Sequence, residues 1–293
     1  MARRVDRQRA DRHHTAGRGA LMSVNPTHPL RRARTDLLDI GYLTAGDETA
    51  RPVVLLHGFP YDVRAFDAVT PRLAAQGARV IVPYLRGHGP TRFHDAATPR
   101  IGERAALGQD VIDLMDALHI PEAVFAGFDT GGRAASAAAA LRPTRCVGLI
   151  AASEDRVADR AALREPQPPR TEWDHWYRFY LLTERGRAGL ARHRRAIARM
   201  VWRDQLVQYD DDLFDRSART FDNRDFIAVT VQGLRHQFGD DAGHADQADA
   251  DRKIAQAPAH GRPAFAIDTL PQNDPSAWVE AALQCMRQGK WRT

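Results

Sequence analysis

Apolar residues in this chain gather into short, nearly unbroken runs, separated by longer segments in which they recur every three or four positions. The runs are PVVLLHG (52–58), RVIVPY (79–84), AVFAGF (123–128) and RCVGLIAA (145–152). Runs of this kind predict strands covered on both faces. DLLDIGYLTAG (36–46) alternates and then turns, which predicts one further strand ahead of them. Between the runs, AFDAVTPRLAAQG (65–77) predicts a helix closed by Gly77, and IGERAALGQDVIDLMDALHI (101–120) a long amphipathic helix closed by Pro121. GGRAASAAAAL (131–141) predicts a helix poor in bulk. Strands alternating with helices specify an α/β fold with a mostly parallel sheet and helices on both faces.

Near residue 155 the alternation stops. From there to about 245 the pattern is helical, rich in Arg and aromatics, with no buried strand. PAFAI (263–267) is one more short strand and SAWVEAALQCMRQ (276–288) a closing helix. The expected organisation is an extension over 1–29, a core over 30–155 and 250–293, and a helical insertion over 156–249. The extension is Arg-rich without apolar periodicity, so disorder is expected there. It has no apolar h-region, so it does not read as a secretory signal. Met22 is a candidate start.

Composition narrows the function classes. The chain has 293 residues, 43% hydrophobic and 27% charged, and a net charge of +5. That excess is small and scattered, with no basic helix interleaved with aromatics, so no nucleic-acid partner is expected. No apolar run is long enough to span a bilayer. Cys146 and Cys285 are the only cysteines, too few for a disulfide framework or zinc site and suited to a reducing cytoplasm.

Candidate chemistry lies at the carboxyl ends of successive strands, the edge where open parallel sheets bind ligands. Three stretches fall there: HGFP (57–60), YLRGHGPT (84–91) and GFDTGG (127–132). Asp129, between Gly127 and Gly131, is either a helix N-cap or the apex of a sharp strand-to-helix turn in the position of a nucleophile. The three stretches in this order resemble the α/β-hydrolase fold family, over about residues 30–288. HGFP is similar to its oxyanion-hole loop, YLRGHGPT to its R-G-x-G turn, GFDTGG to its nucleophile elbow, and the helical insertion to its lid. An elbow bearing Asp and a trailing Gly-Gly resembles the epoxide hydrolase and haloalkane or haloacetate dehalogenase branch.

The resemblance implies that Asp129 attacks an electrophilic carbon of a small organic substrate. A C–O or C–halogen bond breaks, and a histidine-activated water hydrolyses the resulting ester. The N–H groups of Phe59 and Thr130 form the oxyanion hole. His57 shapes the substrate loop. Arg133 stands where haloacetate dehalogenases hold the substrate carboxylate, although Thr130 replaces the bulky residue that usually follows the nucleophile. Lid tyrosines Tyr177, Tyr180 and Tyr209 are candidate proton donors for an opening epoxide, against a plain packing role. No cofactor or metal is implied.

The pattern breaks toward the C-terminus. IDTLPQNDP (267–275) is similar to the family's G-H-x-L-P-Q-x-x-P, but Asp268 stands where the triad histidine belongs. There is room for one strand where the family has two with a helix between, so the fold is shortened. Glu154 is the candidate acid. His260 is the first candidate to replace the histidine, with His236 and His244 behind it. The competing expectations are a protein that keeps fold and pocket but turns over slowly or only binds small molecules, and an ancestral enzyme damaged by deletion. Losing a strand exposes sheet edge, which invites a homodimer.

Overall fold

The protein is described here by a computed structural model covering residues 28–152, 165–239, 241–257 and 261–292. The expected disordered extension (save residues 28–29), Glu154 and His260 lie outside these residues. The chain opens on an edge strand, β1 (Leu30–Arg34), which the hydrophobic pattern does not announce because only Ala33 of its five residues is buried. β2 (Leu38–Ala45), β3 (Arg51–Leu56) and β4 (Ala78–Pro83) follow. The helix expected over 65–77 divides into a 3-10 turn (Val63–Phe66) and α1 (Thr70–Ala75). Pro71 explains the break: it fits only in a helix's first turn, where its missing N–H costs nothing.

β5 (Arg92–Phe93) adds a short rung to β2. α2 (Arg104–Ala117) is shorter than its pattern, ending where His119 takes φ 54° and Ile120 N–H donates to Met115 O at 2.8 Å. The stop therefore comes from a left-handed residue just past the helix, ahead of Pro121. Ten of its fourteen residues are buried, so it is a covered helix and not the amphipathic one expected. β6 (Ala123–Gly127), α3 (Thr130–Leu141) and β7 (Cys146–Ala151) complete the alternation.

The sheet order is β1-β2-β4-β3-β6-β7 and then β8 (Ala264–Ala266), parallel from β4 onward, with β1 and β2 antiparallel. Successive residues of β3 separate the two layers. Val53 and Leu55 join a core with Phe66, Trp278 and the helical insertion, while Val54 and Leu56 join one with Leu107, Val111 and Ala134. The alanines of α3 let α2 approach closely: a Cβ on Gly108 would lie 2.8 Å from Ala137 Cβ.

Between β7 and β8 the described residues are helical: α4 (Pro169–Asp174), α5 (Trp176–Leu182), α6 (Glu184–Gln205), α7 (Asp211–Ala218), α8 (Phe226–Phe238) and α9 (Ala248–Ala255). α10 (Pro275–Gln288) closes the chain. Buried tethers fix this helical segment to the strand ends. Trp202 Nε1 donates to Pro60 O at 2.7 Å, and Ser217 Oγ to Asp62 Oδ1 at 2.8 Å. No described helix is long and apolar enough to cross a membrane.

Candidate active site

The turn from β6 into α3 is as tight as its glycines suggest. A Cβ on Gly127 would lie 2.4 Å from Gly131 O, and one on Gly131 would lie 2.1 Å from Leu56 O. Between them Asp129 is forced to φ 48°, ψ −124°, and its side chain makes no cap bond to the helix it precedes. A non-glycine residue held there is strained, and such strain persists only where the surroundings over-determine it. The carboxylate therefore makes no cap bond to the helix backbone and is held instead by the side chains of the first turn and by the neighbouring loop.

The carboxylate is gripped on both oxygens. Phe59 N–H donates to Oδ2 at 2.8 Å, and Thr130 Oγ1 lies 3.0 Å from the same atom. Arg133 Nη2 donates to Oδ1 at 3.1 Å, and Arg178 Nη2 stands 3.7 Å from it. Burial alone would push the Asp129 pKa up. The Arg133 and Arg178 guanidiniums outweigh it, helped by the Thr130 and Phe59 N–H groups, and the pKa falls to about 2. Gly58 allows this approach, since a Cβ there would lie 2.6 Å from Asp129 Cβ.

Asp129 opens onto a cavity of about 320 Å3 between the strand ends and the helical segment, lined also by Tyr61, His175, Tyr177, Arg178 and Asp268. Tyr177 is buried against Phe59, ring centroids 5.6 Å apart. Burial raises its pKa, so its hydroxyl keeps its proton. Tyr61 hydroxyl donates to Gln205 Oε1 at 3.0 Å and is likewise held protonated by burial.

Several expected residues stand elsewhere. Tyr180 does not line the cavity; its hydroxyl lies against Gly189, where an added Cβ would come within 2.0 Å. Tyr209 donates to Asp211 at 2.8 Å near the surface. His57 lies behind the loop. Its Nε2 accepts from Leu85 N–H at 3.2 Å and its Nδ1 sits 3.2 Å from Gly58 O, while burial lowers its pKa to about 4. It is a neutral brace with both ring nitrogens engaged and is not among the lining residues. Thr130 and Arg133 touch Asp129 without lining the cavity. His236 stands 3.6 Å from Glu103, and His244 pairs with Asp246 at 3.4 Å; neither reaches the cavity.

Sequence reasoning missed Arg178, Tyr61, Gln205 and His175. Arg178 left a signal: in WYRFYLL it is a lone charge inside an aromatic helix, and buried charges are rare unless paired. Tyr61, adjoining HGFP, could have been read as part of that loop. Gln205 and His175 left none.

The model of the family described as alpha/beta hydrolase fold matches residues 51–262. A crystal structure of a Klebsiella pneumoniae protein provisionally named an epoxide hydrolase is 35% identical with a TM-score of 0.79, covering 88% of this chain and 97% of that one. Epoxide hydrolase B of Mycobacterium tuberculosis is 34% identical over 108 residues, 36% of this chain. That match spans 30% of the relative's length. A Pseudomonas aeruginosa structure, also provisionally named an epoxide hydrolase, has a TM-score of 0.72 at 20% identity over 90% of this chain and 96% of that one, which shows the fold alone. The elbow, the strand order that presents it and the matched residues 51–262 agree: the chain belongs to the α/β-hydrolase fold family.

Proposed function

We propose that the protein hydrolyses an epoxide or a carbon–halogen bond of a small organic molecule, with Asp129 as nucleophile and an ester of its carboxylate as intermediate. The observation that carries this is the strained apex at φ 48° with Oδ2 held 2.8 Å from Phe59 N–H. An ionised carboxylate, pKa about 2, stands ready at neutral pH. The names of the Klebsiella and Mycobacterium relatives point the same way.

In this reading Oδ1 attacks the substrate carbon and the C–O or C–halogen bond breaks. Arg178, the looser of the two guanidiniums at 3.7 Å, swings from Oδ1 toward the departing charge. Tyr177, buried and protonated, supplies the proton to an epoxide oxygen. Arg133 neutralises the site, and a substrate carboxylate would compete for it. The helical segment acts as the lid that keeps water from the first step. In the second step Oδ2 becomes the oxyanion, between Phe59 and Thr130 N–H. The residue in the family histidine's place is Asp268, which slows this step unless another base serves it.

The test is intact mass and product analysis with styrene oxide and chloroacetate, using wild type and Asp129→Ala. Either an ester or product that requires Asp129 supports the reading. Absence of both sinks it. The second reading, a small-molecule binding protein without turnover, is favoured by the ion pairing of Asp129 with Arg133 and by Asp268. It expects bound ligand with no Asp129-dependent chemistry.

A further inference from the structure

We infer that His175 is the general base that activates water against the Asp129 ester, an inference that rests on the ester mechanism proposed above. Hydrolysis of an ester needs a lone pair on a nitrogen or oxygen beside the attacking water. Asp268 occupies the loop after β8 and lines the cavity, so the family's own position offers no imidazole. Among the described residues, one histidine lines the cavity that Asp129 opens into, and it is His175.

The two nitrogens of its ring differ in role. Nδ1 lies 3.0 Å from the backbone oxygen of Thr171, an acceptor, so Nδ1 carries the proton and donates it. Nε2 then holds the lone pair. His175 is the residue between α4 and α5. Arg178 N–H donates to His175 O at 2.9 Å across the first turn of α5, and the Arg178 guanidinium reaches to 3.7 Å from Asp129 Oδ1. The ring also meets Tyr177 edge-on at 6.3 Å, and Tyr177 packs on Phe59, whose N–H holds Oδ2. His175 is partly exposed, so a proton can pass from it to solvent.

The other histidines near the strand ends lack this combination. His57 has both nitrogens engaged. His88, with Nδ1 against Arg86 O at 3.2 Å, is depressed to about 3, mainly by burial, and does not line the cavity.

The step balances as follows. Water oxygen attacks Cγ of the ester while Nε2 of His175 takes one water proton. Negative charge forms on Oδ2. Collapse breaks the bond between Cγ and the alkyl-bearing oxygen, and the departing alkoxide takes the imidazolium proton. The acid left on Asp129 ionises to solvent, as its pKa near 2 requires.

The experiment incubates wild type, His175→Gln and His260→Gln with styrene oxide and follows diol release alongside intact mass. A positioned base is worth about 10² to 10⁴ in rate. The expected result is an Asp129 ester that forms at near wild-type rate in His175→Gln and persists, with diol release down about 100-fold or more. That first-turnover adduct also shows that the variant is folded. Wild-type diol release from His175→Gln overturns the inference, as does trapping in His260→Gln instead. Wild type that itself holds the ester overturns it too, while leaving Asp129 as nucleophile. No adduct in any of the three, with diol release no faster than in Asp129→Ala, removes the ester reading, and this inference with it.

Discussion

Replacing Arg133 with Met should reverse the pH dependence that Asp129 gives to stability. In the wild type the carboxyl pKa is lowered from 3.8 to about 2 although burial opposes this. That lowering corresponds to about 2 kcal/mol at about 1.36 kcal/mol per pKa unit. A unit charge about 4 Å away at an effective dielectric near 20 is worth about 4 kcal/mol. Losing Arg133, at 3.1 Å, therefore exceeds the margin, and burial then dominates even with Arg178 still present. In the wild type the depressed pKa contributes stability present above pH 3.8 and lost as pH falls toward 2. In the variant the folded pKa lies above the unfolded value. Its contribution is intact at low pH and lost as pH rises through the folded pKa. The free-energy gap between the two proteins should widen by about 1 to 2 kcal/mol between about pH 4 and about pH 8. Urea unfolding across that range measures it, and the same pair in an Asp129→Asn background is the control. A gap that stays constant with pH, or that widens equally in the control, where the amide does not titrate, would refute the account of how the carboxylate is held.

Three further outcomes follow from the same geometry. Gly58→Ala puts a methyl 2.6 Å from Asp129 Cβ and 2.8 Å from Phe128 O, so urea unfolding should report a loss of about 1 to 3 kcal/mol and mass spectrometry the loss of any Asp129 ester. His57, lowered from 6.5 to about 4 chiefly by burial, contributes stability that is full above pH 6.5 and lost as pH falls toward 4. That lowering is worth about 3 kcal/mol, and the fall in urea midpoint from pH 7 to 5 should flatten in His57→Gln. Trp202→Phe strands the buried Pro60 carbonyl that the indole N–H holds at 2.7 Å. It should cost about 1 to 3 kcal/mol by the same assay, and an unchanged midpoint would mean that the tether carries nothing.

How much of this was legible in the chain depends on what fixed each residue. The four buried runs became β3, β4, β6 and β7 because strands covered on both faces admit few polar residues, and three of them end where a candidate functional stretch begins. Gly127, Asp129 and Gly131 were readable because the turn they make is local: a Cβ at either glycine collides with backbone a few residues away or on the neighbouring strand. β1 was not readable, since an exposed edge strand of Leu, Arg and Ala has no apolar alternation to display. Nor was the division of 65–77, where the apolar spacing runs straight through a proline that a helix interior would reject.

The helical segment shows the limit most clearly. Tyr177 and Tyr180 are three apart and looked equivalent, yet one faces Phe59 and the other Gly189 of the next helix. Which one meets the cavity is set by the rotation of α5 against α6 and α8, a tertiary quantity that periodicity gives only up to an arbitrary angle. The same rotation brings Arg178 to Asp129 and His175 to the cavity. A strand edge can be read from its own sequence because the sheet fixes its direction. A helix laid across that edge takes its facing residues from the partner it packs on. The carboxylate proposed as nucleophile was therefore legible in the core, whereas the groups proposed to complete its chemistry from the helical segment required the structure.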